Sequence, residues 1–274
     1  MDTPYDAERN PVRSATATLP GRTLHYFECG AGLPVVFLHG YTDSWQSFRL
    51  VLPDLAGHVR CLALDQRGHG RSRFDGDDFS MAAFAGDVVD FIRALGLGRV
   101  ALVGHSMGSL VARRVALLRP DLVDRLVLVG APLRVDTPAI RDMLVELAGF
   151  GDAVPRQYAR DFQAACVADR SSVPAWFFDV CVEASAGVPG RVWRAALAGI
   201  LADDSADRAP EIQKSTLSIG GREDAFFGPD EQLALTRAMP RARLVLYDRV
   251  GHCPNWERPQ RFAADVAAFL TGRV

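Results

Sequence analysis

A chain of 274 residues, 49% of them hydrophobic, is long enough for one large core and too ordinary in composition for a disordered or fibrous protein. Its 31 basic and 33 acidic side chains are interspersed and sum to −2, so no basic stripe invites nucleic acid. No apolar run approaches the ~18 residues of a membrane span, and the opening stretch MDTPYDAERNPVRSATATLPG lacks the basic-then-apolar order of a signal peptide, which predicts a cytoplasmic protein. Cys29, Cys61, Cys166, Cys181 and Cys253 are scattered, odd in number and free of CxxC spacing. They read as buried reduced thiols rather than a metal or disulfide framework.

The first dozen residues are polar and read as a loosely held tail. SATATLPGRTLHYFECG then predicts two short strands around the turn Pro20-Gly21, and LPVVFLHG predicts a buried strand ending at His39-Gly40. WQSFRLVLPDLAG is amphipathic and predicts a helix. Val59 to Leu64 reads as a strand entering the Gly-rich loop DQRGHGRS. SMAAFAGDVVDFIRALGL predicts a helix capped by Ser80 and ended by Gly96, with Phe84, Val88, Phe91 and Leu95 on one face. RVALVG is the next strand, followed by a helix from Ser106 to about Leu118 that Pro120 stops, and RLVLVGAP is a further strand. These strands are continuous apolar runs with helices between them, the pattern of a parallel sheet covered on both faces. The fold class is therefore α/β, doubly wound.

From Ala131 to Ser215 the rhythm changes to helix-like stretches broken by Pro138, Pro155, Pro174, Pro189 and Pro210, with no convincing strand. Alternation then resumes with STLSIGG, the helix DEQLALTRAMP, a strand from Arg243 to Tyr247 and the helix PQRFAADVAAFLTG. The simplest division is a core of residues 1–130 and 216–274 with a helical insert at 131–215.

Gly104-His105-Ser106-Met107-Gly108 is a G-x-S-x-G placed where a strand becomes a helix. That turn holds a serine in a strained conformation with Oγ above the sheet edge, and a Cβ at either glycine would collide with a neighbouring strand or helix. A serine hydroxyl needs a base. His252 follows the last strand in DRVGHCPNWERP, on the same carboxyl edge as Ser106, and is the candidate. His39 and His69 sit in tight Gly loops and are expected to be structural, His105 should point away from Oγ, and His25 and His58 read as surface or strand positions. An imidazole base needs a carboxylate behind it. Asp224 in GREDAFF is the choice and the adjacent Glu223 the reserve. For an oxyanion, the backbone N–H groups of Met107 and Tyr41 are the candidate donors, with the alternative that the Tyr41 ring only lines the pocket.

FLHGYTDSW, LDQRGHGRS, LVGHSMGS, GREDAFF and GHCPNWERP, in this order from about Thr16 onward, resemble the α/β-hydrolase superfamily, and more narrowly its bacterial carboxylesterase-like and lactonase-like members with a helical cap. The resemblance implies an eight-stranded, mostly parallel sheet flanked by helices. It implies a Ser106–Asp224–His252 triad, oxyanion donors at Tyr41 and Met107, and residues 131–215 as a lid inserted between the sixth and seventh strands. HGYT departs from the HGGG of some lipases, and serine at 106 argues against relatives that carry aspartate there.

The expected reaction is hydrolysis of a carboxylic ester or lactone through an acyl-enzyme, without cofactor or metal. VGHSMG lacks dinucleotide-binding spacing, and neither a P-loop nor HExxH is present. C–C bond cleavage of a ring-fission diketone, a cofactor-free perhydrolase and a non-catalytic receptor are the alternatives on the same fold. The insert is aromatic, densest in AWFFDV. Some of its rings must pack it onto the core, whereas Trp176, Phe177, Phe178 and Trp193 are candidate walls of a hydrophobic substrate pocket. The same apolar insert could support a homodimer.

Overall fold

The computed structural model describes residues 13–272, so the tail read above in the first dozen residues lies outside the described residues. Among those described, eight strands form one sheet: β1 (Arg13–Leu19), β2 (Arg22–Cys29), β3 (Pro34–Leu38), β4 (Arg60–Leu64), β5 (Val100–His105), β6 (Val123–Val129), β7 (Ser215–Gly221) and β8 (Ala242–Tyr247). Their order across the sheet is β1-β2-β4-β3-β5-β6-β7-β8. β1 and β2 form a hairpin around Pro20 and Gly21, whose φ of 74° suits a residue without Cβ. β2 runs antiparallel to both its neighbours, and every pairing from β4 to β8 is parallel.

Strand alternation divides the core into two layers. Val36, Leu38, Leu62, Leu64, Leu102 and Leu128 face one side, where they meet Phe84, Val88 and Phe91 of α2 (Met81–Ala94, following the short α1, Leu52–Ala56) and Leu110 and Val111 of α3 (Met107–Leu118). Val35, Phe37, Ala63, Ala101, Val103 and Val127 face the other. α2 begins where Ser80 accepts a hydrogen bond from Ala83 N and ends before Gly96, at φ 59°.

WQSFRLVLPDLAG is not one helix. A 3-10 turn covers Trp45–Phe48, and α1 begins afresh at Leu52. Pro53 explains the break, because proline has no N–H for a helix interior and is tolerated in the first turn. The same rule reinterprets the prolines between β6 and β7. They start helices rather than break them: Pro138 opens α4 (Pro138–Ala148), and Pro155, Pro174 and Pro189 stand immediately before α5 (Arg156–Ala165), α6 (Ala175–Ala186) and α7 (Gly190–Leu201). After β7 come α8 (Pro229–Ala238) and, beyond β8, the single turn α9 (Pro254–Glu257) and α10 (Pro259–Leu270), whose Phe262 and Val266 complete the second core layer. Among the described residues no helix is long and apolar enough to cross a membrane.

Candidate active site

Ser106 joins β5 to α3 at φ 50°, ψ −116°. Thr42 (62°) and Arg249 (56°) are the other non-glycine residues with positive φ among those described. The three stand in the loops after β3, β5 and β8, so the backbone strain of roughly 1–3 kcal/mol each gathers at the carboxyl edge of the sheet. Both glycines of the elbow are sterically required. A Cβ on Gly104 would lie 2.2 Å from Gly108 O, and one on Gly108 would lie 2.0 Å from Leu38 O. The turn is fastened by Ser106 N donating to Val129 O (2.9 Å) and by Ser109 Oγ donating to Ser106 O (2.6 Å).

His252 lies in the loop after β8, and its Nδ1 is 2.9 Å from Asp224 Oδ2. The carboxylate can only accept, so Nδ1 carries the proton and Nε2 keeps its lone pair. Asp224 is itself fixed, because its Oδ1 accepts from Phe226 N (2.9 Å) and Phe227 N (3.0 Å). Glu223, the reserve acid, is exposed, so the structure places Asp224 and not Glu223 on the imidazole. Ser106 and His252 line one pocket, although no hydrogen bond joins Ser106 Oγ to the His252 ring among the described residues. In ligand-free sites such contacts are commonly long and tighten around substrate.

Met107 N opens α3, and neither it nor Tyr41 N has an acceptor among the described residues. Both residues line the pocket with Ser106. The loop that carries Tyr41 is tied, residue by residue, to three helices of the segment between β6 and β7. Tyr41 OH donates to Trp193 O on α7 (2.6 Å), Thr42 O accepts from Ser185 Oγ on α6 (3.2 Å), and Asp43 Oδ1 accepts from Gln163 Nε2 on α5 (2.9 Å). Gln163 Nε2 also donates to Ser185 Oγ (2.6 Å), and Ser47 Oγ donates to Asp43 Oδ2 (3.2 Å). Burial pushes the Asp43 carboxyl up to about 7 against the opposing effect of these donors and of His252. The His252 loop is anchored to the same segment. His252 N donates to Cys166 O (2.9 Å), while Glu257 accepts from Gly251 N (2.7 Å) on one oxygen and from Ala168 N (3.0 Å) on the other.

Asp43, Gln163, Ser185 and Glu257 were not singled out from the sequence, because their partners are distant in the chain. His105 turns its Nε2 to His252 O (3.1 Å), away from the pocket, and burial holds its pKa down to about 3. His39 and His69 are structural: His39 Nδ1 lies 2.8 Å from Gly40 O, and His69 Nδ1 lies 2.8 Å from Arg67 O.

The pocket holds about 450 Å³ of space, its mouth included. Pro132, Val135, Ile140, Met143, Phe162, Leu197 and Ile200, from the segment between β6 and β7, line it together with Leu110, Phe226 and Phe227. The four expected aromatic walls are not among them. Phe177 and Phe178 are fully buried in packing, Phe177 edge-on to Trp256 (5.5 Å) and Phe178 under the Arg170 guanidinium (3.9 Å). Trp193 stands one layer back, edge-on to Tyr41 and Phe162, with Nε1 donating to Ser185 O (3.2 Å). Trp176 is 40% exposed beneath Arg49. Among the described residues no cluster of His, Cys, Asp or Glu has the arrangement of a metal site.

A mostly parallel α/β sheet in this strand order, with a nucleophile-type elbow at its carboxyl edge, defines a hydrolase scaffold. The sequence model of the alpha/beta hydrolase fold family matches residues 34–259, and the chain belongs to that family. It is 30% identical over 257 residues to 2-hydroxymuconate semialdehyde hydrolase of Pseudomonas sp. strain CF600, covering 89% of this chain and 88% of that one. It is 35% identical over 127 residues to (E)-2-((N-methylformamido)methylene)succinate hydrolase of Acinetobacter baylyi, a match spanning 46% of this chain and 48% of the relative. Among solved structures, a thermophilic esterase from Thermogutta terrifontis superposes with a TM-score of 0.84 at 26% identity, covering 95% of this chain and 98% of that one.

Proposed function

We propose that this hydrolase cleaves the carboxylic ester or lactone bond of a small, mainly hydrophobic, uncharged substrate through an acyl-enzyme on Ser106. The observation that carries the reading is the pocket itself. Ser106 and His252 open into it beside aliphatic and aromatic side chains, and among the described residues no Arg, Lys, Asp or Glu lines it. His252 Nε2 takes the Ser106 proton as Oγ bonds to the ester carbonyl, and Asp224 stabilises the resulting imidazolium. The N–H groups of Met107 and Tyr41 hold the tetrahedral oxyanion, each worth ~10²–10³ in turnover. His252 then protonates the leaving alcohol, and water repeats the sequence on the acyl-enzyme. Residues 131–215 act as the cap over this pocket. The five free, buried cysteines suit a reducing compartment and support a cytoplasmic location.

The second reading, C–C bond hydrolysis of a ring-fission diketone, is favoured by the near full-length relative that hydrolyses 2-hydroxymuconate semialdehyde. A ring-fission product that carries a carboxylate would bring a charge into this pocket, where no cationic side chain among the described residues meets it. The test is a panel of p-nitrophenyl esters, lactones and a ring-fission diketone with wild type and Ser106→Ala. The ester reading expects neutral esters or lactones to be turned over best, with kcat lower by roughly 10⁶ in Ser106→Ala. A preference for the diketone selects the second reading, and turnover undiminished in Ser106→Ala removes both.

A further inference from the structure

A second serine, far from Ser106 in the sequence, makes the contact to histidine that Ser106 lacks. Ser14 lies opposite Phe27 in the β1–β2 ladder, and Thr16 lies opposite His25, so strand alternation puts Ser14 and His25 on one face of the hairpin. Ser14 Oγ is 2.7 Å from His25 Nε2, and His25 Nδ1 is 2.9 Å from Asp65 Oδ2. The carboxylate behind the ring is fixed as Asp224 is. Asp65 Oδ1 accepts from Trp45 N (2.9 Å), and Oδ2 also accepts from Arg71 N (3.0 Å). Burial works to raise the Asp65 pKa, but the hydrogen bonds from His25, Arg71 and Trp45 outweigh it and hold the group below its ordinary value. The backbone that carries the imidazole is held as well. His25 N donates to Ser72 Oγ (2.8 Å), and His25 O accepts from Asp65 N (2.9 Å).

The tautomer is settled by the acceptor behind the ring: Nδ1 donates to the carboxylate, and Nε2 accepts the Ser14 hydroxyl proton. His25 and Asp65 are buried whereas Ser14 is exposed, so the nucleophile faces reagents and the relay behind it is dry. Arg71 Nη1 reaches Ser14 Oγ at 3.4 Å and places a cation beside the hydroxyl. Phe27, stacked on Trp45 at 3.6 Å and edge-on to His25 at 5.0 Å, offers a ring surface beside the hydroxyl.

We propose that Ser14, His25 and Asp65 form a second nucleophile relay and that Ser14 is an acylation site for activated esters, aryl esters above all. His25 Nε2 removes the hydroxyl proton as Ser14 Oγ bonds to the acyl carbon. The bond from that carbon to the aryloxy oxygen breaks, and the phenolate leaves with the proton from His25. The products are an O-acylated Ser14 and one phenol, with no redox partner. The preference for aryl esters follows from the lack of paired backbone donors beside Ser14 among the contacts described above, since a good leaving group lowers the demand on oxyanion stabilisation.

The test removes Ser106, so its outcome is independent of the ester-hydrolase reading. The Ser106→Ala protein is incubated with p-nitrophenyl acetate, released p-nitrophenol is followed, and acetylated peptides are mapped by mass spectrometry. The expected result is a single-equivalent burst with the acetyl group on Ser14. The burst disappears in Ser106→Ala/Ser14→Ala, which alters only an exposed side chain, and slows by about 100-fold in Ser106→Ala/His25→Gln, as loss of a general base does. Ser14 left unlabelled, a burst that survives Ser14→Ala, or labelling of Ser14 at an unchanged rate in His25→Gln overturns the proposal.

Discussion

The Asp43→Asn substitution keeps the shape of a buried side chain and removes its ability to ionise. Asp43 accepts from Gln163 Nε2 on one oxygen and from Ser47 Oγ on the other, and an amide can satisfy both positions once the Ser47 hydroxyl rotates to accept. In the folded chain the Asp43 pKa is raised from 3.8 to about 7. Between these values the folded protein holds a proton that the unfolded chain has released. The stability owed to this group is therefore full below the unfolded pKa and is lost as pH rises through the folded one. At 1.36 kcal/mol for each unit, the stability of Asp43→Asn relative to wild type grows by about 3 kcal/mol from pH 5 to pH 8. His39 and His69, with pKa values lowered to about 4 and 3, tilt stability the other way, but they do so in both proteins and cancel in the difference. His105 Nδ1 lies 4.0 Å from Asp43 Oδ2, but burial holds its pKa down to about 3, so it stays neutral from pH 5 to pH 8. Denaturant unfolding of the two proteins at the two pH values measures it. A difference that does not change with pH refutes the reasoning.

The remaining predictions concern the elbow, the loop after β3 and the pocket. Gly108→Ala puts a methyl 2.0 Å from Leu38 O. It is expected to destabilise by about 1–3 kcal/mol and to abolish turnover, which unfolding and ester assays check together. Gln163→Leu removes the donor shared by Asp43 and Ser185 and so loosens the loop that presents Tyr41 N. It is expected to lower kcat about 10- to 100-fold with KM little changed, whereas a loss of stability alone would make Gln163 a packing residue only. Phe162→Ala enlarges the pocket that Ser106 also lines and shifts preference toward longer acyl chains, read as kcat/KM across p-nitrophenyl esters of increasing length.

The parts legible in the sequence were those in which a few neighbouring residues fix the backbone. The elbow needs glycine at 104 and 108 because of contacts that any βα turn of this kind makes. Asp224 and His252 follow strands, so strand order alone puts them on one edge. The pocket walls were not legible. AWFFDV lies on a helix with apolar residues all round, and nothing in such a run tells a ring that faces substrate from one that faces another helix. Phe162, Phe226 and Phe227, which do line the pocket, look no different as residues. The prolines misled in the opposite way, since Pro155, Pro174 and Pro189 read as breaks but stand where helices start. The ties from Thr42 and Asp43 to Ser185 and Gln163 join residues 120 or more apart in sequence, and polar side chains paired at such distance leave no local pattern. Ser14 and His25 were hidden because each reads as an ordinary strand residue until the hairpin register sets them on one face.

Whether chemistry passes through Ser106 is tested most directly by rapid quenching of wild type with a p-nitrophenyl ester, followed by mass mapping of the peptide from Leu102 to Leu118. The account predicts an acyl group on Ser106 that forms with the first release of p-nitrophenol, decays at the steady-state rate and accumulates in His252→Ala only far more slowly. Steady turnover with no acyl group on that peptide at any time would contradict it.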